Sequence, residues 1–262
     1  SMLAGSTDLA MHSLKDLPVN IREEFRLGAI LKRHSFLDAI IFRNSLYSKL
    51  GLVKGEVLDA QKLKSLGKLR IATSSLRRKC LLENLHSNID VVPIRGNVDT
   101  RLQKLEDLNL DAIILAEASL NRLSIENVHA HKLDYKWFIP CAGQGALTIE
   151  LPASSRFSQF IEKLNCDQTN LHVSIERNIL RALGGDCNMP FGCLVATCER
   201  DPTKTLGQVL VMTPSGKECR VNHTVLTAEL KDGQQFASIL LDKLRDVNVN
   251  SLLEELKVKI RL

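Results

Sequence analysis

Aromatic residues are scarce in this chain: eight Phe, two Tyr and one Trp amount to 4% of 262 residues. Single strands of nucleic acid are held by stacking bases on aromatic rings along a basic groove, so the composition speaks against such a partner. No apolar run reaches the roughly 20 residues that a membrane-spanning helix needs, and no signal-peptide pattern opens the chain. No membrane partner and a cytoplasmic location are therefore expected. Cysteine occurs seven times, but never as a CxxC pair and never beside an HxxxH partner. An odd, scattered set points to a reducing compartment and away from a disulfide framework or a zinc site. Cys187, Cys193 and Cys198 are close in sequence, yet they follow one turn-to-strand run, which argues against a shared metal. A GxxxxGK[ST] loop is missing, which argues against an ATP or GTP site. No repeat of fixed period occurs.

What is present is an ordinary globular composition, 44% hydrophobic and 25% charged with a net charge of +5. The length favours two or three domains. Residues 8–12 read as a short strand, followed by Ser13-Leu14-Lys15-Asp16-Leu17-Pro18. Pro18 ends any regular element there, so Lys15 and Asp16 fall on a loop at the carboxyl end of a strand. Taken alone that loop is a solvated turn; taken functionally, it holds a carboxylate beside a cation, able to stabilise a developing positive charge. Residues 36–42 read as another strand, and the Lys-rich stretch to Lys68 as turns around Gly51 and Gly55.

The middle of the chain alternates strands (69–72, 90–94, 111–115) with helices, the pattern of a parallel, doubly wound sheet. Each strand-to-helix junction carries arginine: Arg77 and Arg78, then Arg95 and Arg101, then Arg122. Ligands of such sheets bind beyond the carboxyl ends of the strands, where helix amino termini already favour anions. One arginine is most simply a solvated helix face, but five at equivalent junctions predict one cleft for a polyanion, with Thr73 and Ser74 adding hydroxyls. Guanidinium forks suit carboxylates and phosphates alike. Gly143 and Gly145 flank Gln144 ahead of an apolar strand, which suggests a close backbone approach.

In the stretch from Glu176 to Gly192 an amphipathic helix ends at Gly184 and Gly185, its apolar face formed by Ile175, Ile179, Leu180 and Leu183. Cys187 sits in the turn that follows, before Pro190. Residues 194–198, 207–212 and 219–225 alternate like half-exposed strands, and helices are expected at 236–244 and 252–256. A separate antiparallel sheet with helices on one face follows.

HSLKDLP at 12–18, TSSLRR at 73–78, RGNVDTRL at 95–102, AEASLNRL at 116–123, CAGQGAL at 141–147 and GGDCNMP at 184–190 occur in this order. Together they resemble the porphobilinogen deaminase (hydroxymethylbilane synthase) family. The resemblance implies an α/β fold of three domains: two lobes like periplasmic binding proteins and a carboxyl-terminal α+β domain with a small antiparallel sheet. The boundaries it implies are 1–33 plus 140–163, 34–139 and 164–262. It further implies a transferase of tetrapyrrole (haem) biosynthesis that condenses four porphobilinogen molecules head to tail, releasing ammonia, to give hydroxymethylbilane. The product grows on a dipyrromethane cofactor joined by a thioether to the position of Cys187. Asp16 matches the catalytic aspartate, facing the pyrrole N–H groups and the cationic azafulvene-like species, with Lys15 beside it. Ser13, Lys15, Thr73, Ser74, Arg77, Arg78 and Gly96 are implied to hold the cofactor. Arg78, Arg95, Arg101, Arg122, Ala116 and Gln144 are implied to hold substrate. Of oligomeric states, a monomer is expected.

The family's opening segment, Gly-Thr-Arg-x-Ser-x-Leu, does not occur here. The first lobe is thus expected to be incomplete, and the chain inactive or weakly active unless another chain or a swapped element covers the gap. Asp186 replaces the glycine that usually precedes the anchoring cysteine; a carboxylate there disfavours the thiolate and tunes the anchor. The competing reading is a non-catalytic bilobal binder of a small anion, and a nucleic-acid role ranks last.

Overall fold

The computed structural model describes residues 2–125, 127–185, 189–213 and 220–246. Cys187 with its neighbours Asp186 and Asn188, Cys219, and the helix expected at 252–256 lie outside the described residues. The strands are β1 (Ala10–Ser13), β2 (Phe25–Ile30), β3 (Asp38–Phe42), β4 (Leu69–Ala72), β5 (Ile89–Val92), β6 (Ala112–Ala116), β7 (His129–Lys132), β8 (Leu147–Pro152), β9 (Phe191–Thr197), β10 (Thr205–Thr213) and β11 (Arg220–Ala228). The helices are α1 (Asn44–Tyr47), α2 (Ala60–Ser65), α3 (Leu76–Leu85), α4 (Val98–Asp107), α5 (Glu117–Arg122), α6 (Ser158–Glu162), α7 (Asp167–Ala182) and α8 (Gly233–Asp246).

The central sheet has the order β5-β4-β6-β3-β7. β4 is parallel to β5 and β6, while β3 runs antiparallel to β6 and β7. Its inner strands β3 and β6 are buried on both faces and mostly apolar, as a sheet covered on both sides requires. Ile40, Phe42, Ala112 and Ile114 face one core with Leu81 and Leu82 of α3. Ala39, Ile41, Ile113 and Leu115 face the other with Leu105 of α4 and Leu120 of α5. The doubly wound lobe expected from the alternation is present, with an antiparallel β3 inserted into it.

A second sheet, β1-β8-β2, belongs to the amino-terminal lobe. Both of its pairings are antiparallel, because β8 returns from the central lobe and runs between β1 and β2. β2 was not anticipated: Gly28 interrupts it with a bulge, and a Cβ there would come within 2.5 Å of Leu151. β7 also escaped the reading, since HAHK has no apolar run, although His131 is almost fully buried. Two short helices, α1 and α2, occupy the stretch expected to hold turns alone.

The third sheet, β11-β10-β9, is an antiparallel meander packed against α7 and α8. Cys193, Val195, Val209 and Val211 meet Ile175, Ile179, Phe236 and Leu240 of those helices. The intervening residues were expected to be half-exposed, but Leu194, Leu210 and Met212 are buried in the core that also holds Ile40 and Phe138. One face of this sheet is therefore the floor of the central lobe. α7 ends as its glycines suggested, with Gly184 at φ +65 and the Gly185 N–H returning to Leu180 O at 3.0 Å. Only Gly184 takes the left-handed turn; Gly185 is small because Leu180 and Met189 press on it.

Candidate active site

Lys15 and Asp16 lie in a single 3-10 turn, Leu14–Asp16, directly after β1. Leu14 anchors that turn: it is 1% exposed and its N–H donates to Ala146 O at 2.9 Å. The turn therefore rests on the 143–146 loop. In that loop Gly143 and Gly145 have φ of +73 and +84. A Cβ on Gly145 would lie 2.3 Å from Ser35 O, so the close approach read from the GxG pattern is to the protein's own chain at His34–Ser35. The His34 N–H donates to Gly145 O at 2.9 Å across the same contact.

Opposite this turn stands the β4–α3 junction. Ser75 caps α3 by accepting from the Arg78 N–H, and Thr73 Oγ1 accepts from the Ser75 N–H at 3.2 Å. The Ser74 hydroxyl donates to Ile94 O and accepts from the Ile94 N–H, tying this junction to the one before α4. These hydroxyls thus shape the loops first. Thr73 is buried behind the wall, while Ser74 lines the space in front of it.

Two cavities meet at Lys15. The larger, about 420 Å³, is lined by Lys15, Asp16, Ser74, Ser75, Arg77, Arg78, Cys141 and Gln144, and by Leu180 and Met189. The last two precede and follow Cys187 in the sequence. The smaller, about 210 Å³, is lined by Ser13, Lys15, His34, Ala116, Arg122 and Gly145 among others. The five arginines accordingly do not converge on one surface. Arg77 and Arg78 line the larger cavity and Arg122 the smaller; Arg95 and Arg101 line neither. Arg101 donates from Nε to Gly96 O at 2.7 Å, and Gly96, at φ +125, is exposed in the turn before α4. Burial, and then the charge of Arg78, push the Arg101 guanidinium below its ordinary value, so Arg101 stands within electrostatic reach of that wall.

Arg77 and Arg78 are only 3% and 6% exposed. Both hold Asp38, which is completely buried at the start of β3. Arg77 Nη2 donates to Oδ2 at 2.8 Å, while Arg78 donates to Oδ1 from Nε at 3.0 Å and from Nη2 at 2.6 Å. Gln144 Nε2 adds a fourth bond to the carboxylate, the third to Oδ1, at 3.1 Å and also donates to Phe36 O. Burial alone would raise the Asp38 carboxyl; Arg77 and Arg78 outweigh it, with Lys15 adding to them, and hold it below the usual carboxylate range. Gln144, expected as a substrate contact, is fully buried and spends its amide on this cluster. Sequence reasoning missed Asp38, although a carboxylate opening the apolar strand DAIIF demands a cationic partner.

A second buried ion pair joins the third sheet to this wall. Arg33 Nη1 lies 2.7 Å from Glu176 Oε1 on α7. The Glu176 carboxylate also accepts from the Gly143 and Val195 N–H groups, at 2.6 and 2.8 Å. Glu176 is 0% exposed, and its place three residues from Val173 and Ile179 and four from Leu180, inside the apolar stripe of α7, is the signal that could have found it.

The family model described as "Porphobilinogen deaminase, dipyromethane cofactor binding domain" matches residues 1–159. The chain is 39% identical over 192 residues to a porphobilinogen deaminase of Clostridium beijerinckii, which covers 73% of this chain and 61% of that protein. It is 40% identical over 190 residues to one of Limosilactobacillus reuteri, covering 72% and 58%. Against one of Chromobacterium violaceum it is 36% identical over 242 residues, covering 92% and 71%. The chain thus spans about three-fifths of the length of the first two relatives. Among solved structures, an amino acid ABC transporter substrate-binding protein from Streptococcus pneumoniae bound to L-arginine aligns over 70% of this chain and 66% of its own, with 14% identity and a TM-score of 0.37, too low to bear on the fold.

Proposed function

Because this chain belongs to the porphobilinogen deaminase family, we propose that it serves that family's reaction, the head-to-tail condensation of four porphobilinogen molecules to hydroxymethylbilane with loss of ammonia. The observation that carries the reading is the cavity of about 420 Å³ in which Lys15 and Asp16 of one lobe face Ser74, Arg77 and Arg78 of the other. A substrate bearing an acetate and a propionate needs cations and hydroxyl donors on its walls and a carboxylate at its reacting ring; that is the donor set here.

Asp16 is exposed at the mouth of the cavity. Its carboxylate can accept from a pyrrole N–H and stabilise the positive charge that develops as ammonia departs. Lys15, shared by both cavities, can hold a side-chain carboxylate of whichever ring occupies either one. Arg78 engages Asp38 and Ile114 O, and each of its terminal nitrogens keeps a second N–H for a ligand. Arg95, Arg101 and Arg122, on the far sides of the junctions, suit the carboxylates of a longer product. Ala116, at the end of β6, forms wall without side-chain bulk.

The residues also fit a dipyrromethane. Leu180 and Met189, which precede and follow Cys187 in the sequence, line the cavity, and Ser13, Ser74, Lys15, Arg77 and Arg78 offer donors to its carboxylates, with Thr73 and Gly96 shaping the loops behind. When bound, that group supplies the nucleophilic pyrrole carbon to which substrate is added. We take residues 1–33 with 140–163, 34–139 and 164–262 as the three units, the enzyme as a monomer, and the cytoplasm as its location.

Intact mass decides the cofactor assignment. A mass excess equal to a dipyrromethane, absent from Cys187→Ala, is the expected result. Freshly made protein of unmodified mass that also forms no hydroxymethylbilane from porphobilinogen would sink the reading.

A further inference from the structure

The chain that leaves the Leu14–Asp16 turn has few backbone partners of its own. The Leu17 N–H closes the turn on Leu14 O at 3.3 Å, and Pro18 has no N–H to donate. Among the described residues no backbone–backbone bond reaches residues 18–21, ahead of β2 at Phe25. Their carbonyls are taken instead by α7. Arg177 Nη2 donates to Pro18 O at 2.6 Å and to Val19 O at 3.0 Å, and Nη1 reaches Leu17 O at 3.5 Å. The exposed Arg181, one turn on, adds a bond from Nη2 to Val19 O at 3.1 Å. Arg177 itself is 8% exposed, lines neither cavity, and makes its bonds among the described residues to carbonyls, not to a carboxylate. Burial, and then the charge of Arg181, push its guanidinium below the ordinary value. A buried cation without a countercharge is costly, and here the offset comes from three successive carbonyls that the planar fork holds at once. Apolar contacts follow the same line. Leu17 packs with Leu14 and with Val173 of α7, one turn before Arg177, and Val19 packs against the core that holds Ile179 and Leu180.

We propose that Arg177 is a positioning residue for Asp16: without touching substrate, it ties the backbone that follows Asp16 to α7 and so fixes where the carboxylate stands at the mouth of the larger cavity. The opposite end of the turn is fixed by the Leu14 N–H on Ala146 O. With both ends held, the carboxylate needs no reordering as positive charge develops before it. A turn held at one end alone is free to shift by the ångström or so that costs a catalytic group about 100-fold. The catalytic part of the proposal rests on the function proposed above; the hold on the turn does not.

The test compares the full chain with Arg177→Lys, which keeps the charge and loses the fork, and with Arg177→Met, which keeps the stem alone, using porphobilinogen as substrate. Expected is a kcat about 10-fold lower in Arg177→Lys and about 100-fold lower in Arg177→Met, with KM within about two-fold. Combined with Asp16→Asn, either substitution is expected to add less than about three-fold, because the group it positions is already lost. A kcat within about two-fold of the unaltered chain, a loss carried by KM, or losses that multiply in full on those of Asp16→Asn overturn the proposal. If Arg177→Met does not fold, Arg177→Lys carries the comparison. A chain with no turnover of porphobilinogen defeats the function reading, and hydrogen exchange then decides the hold on the turn. Faster exchange at the Leu17 amide in Arg177→Lys supports it, and unchanged exchange overturns it.

Discussion

Arg78 grips a single oxygen of Asp38 with two of its nitrogens, Nε at 3.0 Å and Nη2 at 2.6 Å, while Arg77 takes the other oxygen at 2.8 Å. Two arginines that read in the sequence as ligand donors are thus first of all the countercharges of a buried carboxylate. The arrangement aims them: with Asp38 fixed at the start of β3, both guanidiniums sit rigidly on the cavity wall instead of sampling solvent.

Removing that carboxylate leaves two buried cations uncompensated. Asp38→Asn is expected to cost about 3–5 kcal/mol of unfolding free energy, measured by denaturant titration. A change of a few tenths would show that the pairing contributes nothing. Because the folded-state value of Asp38 lies below its unfolded value, its stabilisation is present above the unfolded carboxylate range near pH 4 and is lost as pH falls through the folded value.

Glu176 gathers Arg33, Gly143 and Val195 onto one buried carboxylate. Glu176→Ala is expected to cost about 3–5 kcal/mol and to release the amides of Gly143 and Val195 to hydrogen exchange. Unchanged protection at those two amides would contradict the assignment.

His131 and His172 are 1% and 8% exposed. Burial lowers both, aided at His172 by the Arg33 charge, and at His131 outweighs the carbonyl of Glu56. With folded values below the unfolded one, the unfolded chain binds more protons as pH falls below about 6.5, so stability drops in that direction. Tm measured from about pH 7 down to about pH 5 is expected to decline, and His172→Gln to flatten part of the slope.

Gly145 is held at φ +84 with Ser35 O in the place of a side chain. Gly145→Ala is expected to cost at least the roughly 1–3 kcal/mol of a strained backbone and to shift the Leu14–Asp16 turn away from its partner wall. Thermal melting checks the first effect and porphobilinogen uptake the second.

Asp16→Asn keeps shape and removes charge at the cavity mouth. If the carboxylate stabilises the departing-ammonia step, turnover falls by about 100-fold or more while folding stability holds. Equal turnover would remove Asp16 from the catalytic role.

Local chemistry was enough to reveal much of the chain. Alternating strands and helices from 69 to 122, the glycine stop after α7 and the meander at the end are short-range consequences of periodicity, capping and left-handed glycine. The site's loops were legible for the same reason, since strand ends before helix starts can be counted along a sequence. What the sequence by itself determined is therefore the family, the elements and the inventory of groups at their junctions. Only the tertiary structure decided which of those groups are spent and which remain available. Asp38 lies 39 residues from Arg77 and Glu176 lies 143 from Arg33, and no periodicity spans such distances. Burial, by removing water as the competing partner, turned these pairs into fixtures of the wall and left Lys15 and Asp16 on the cavity beside Arg78.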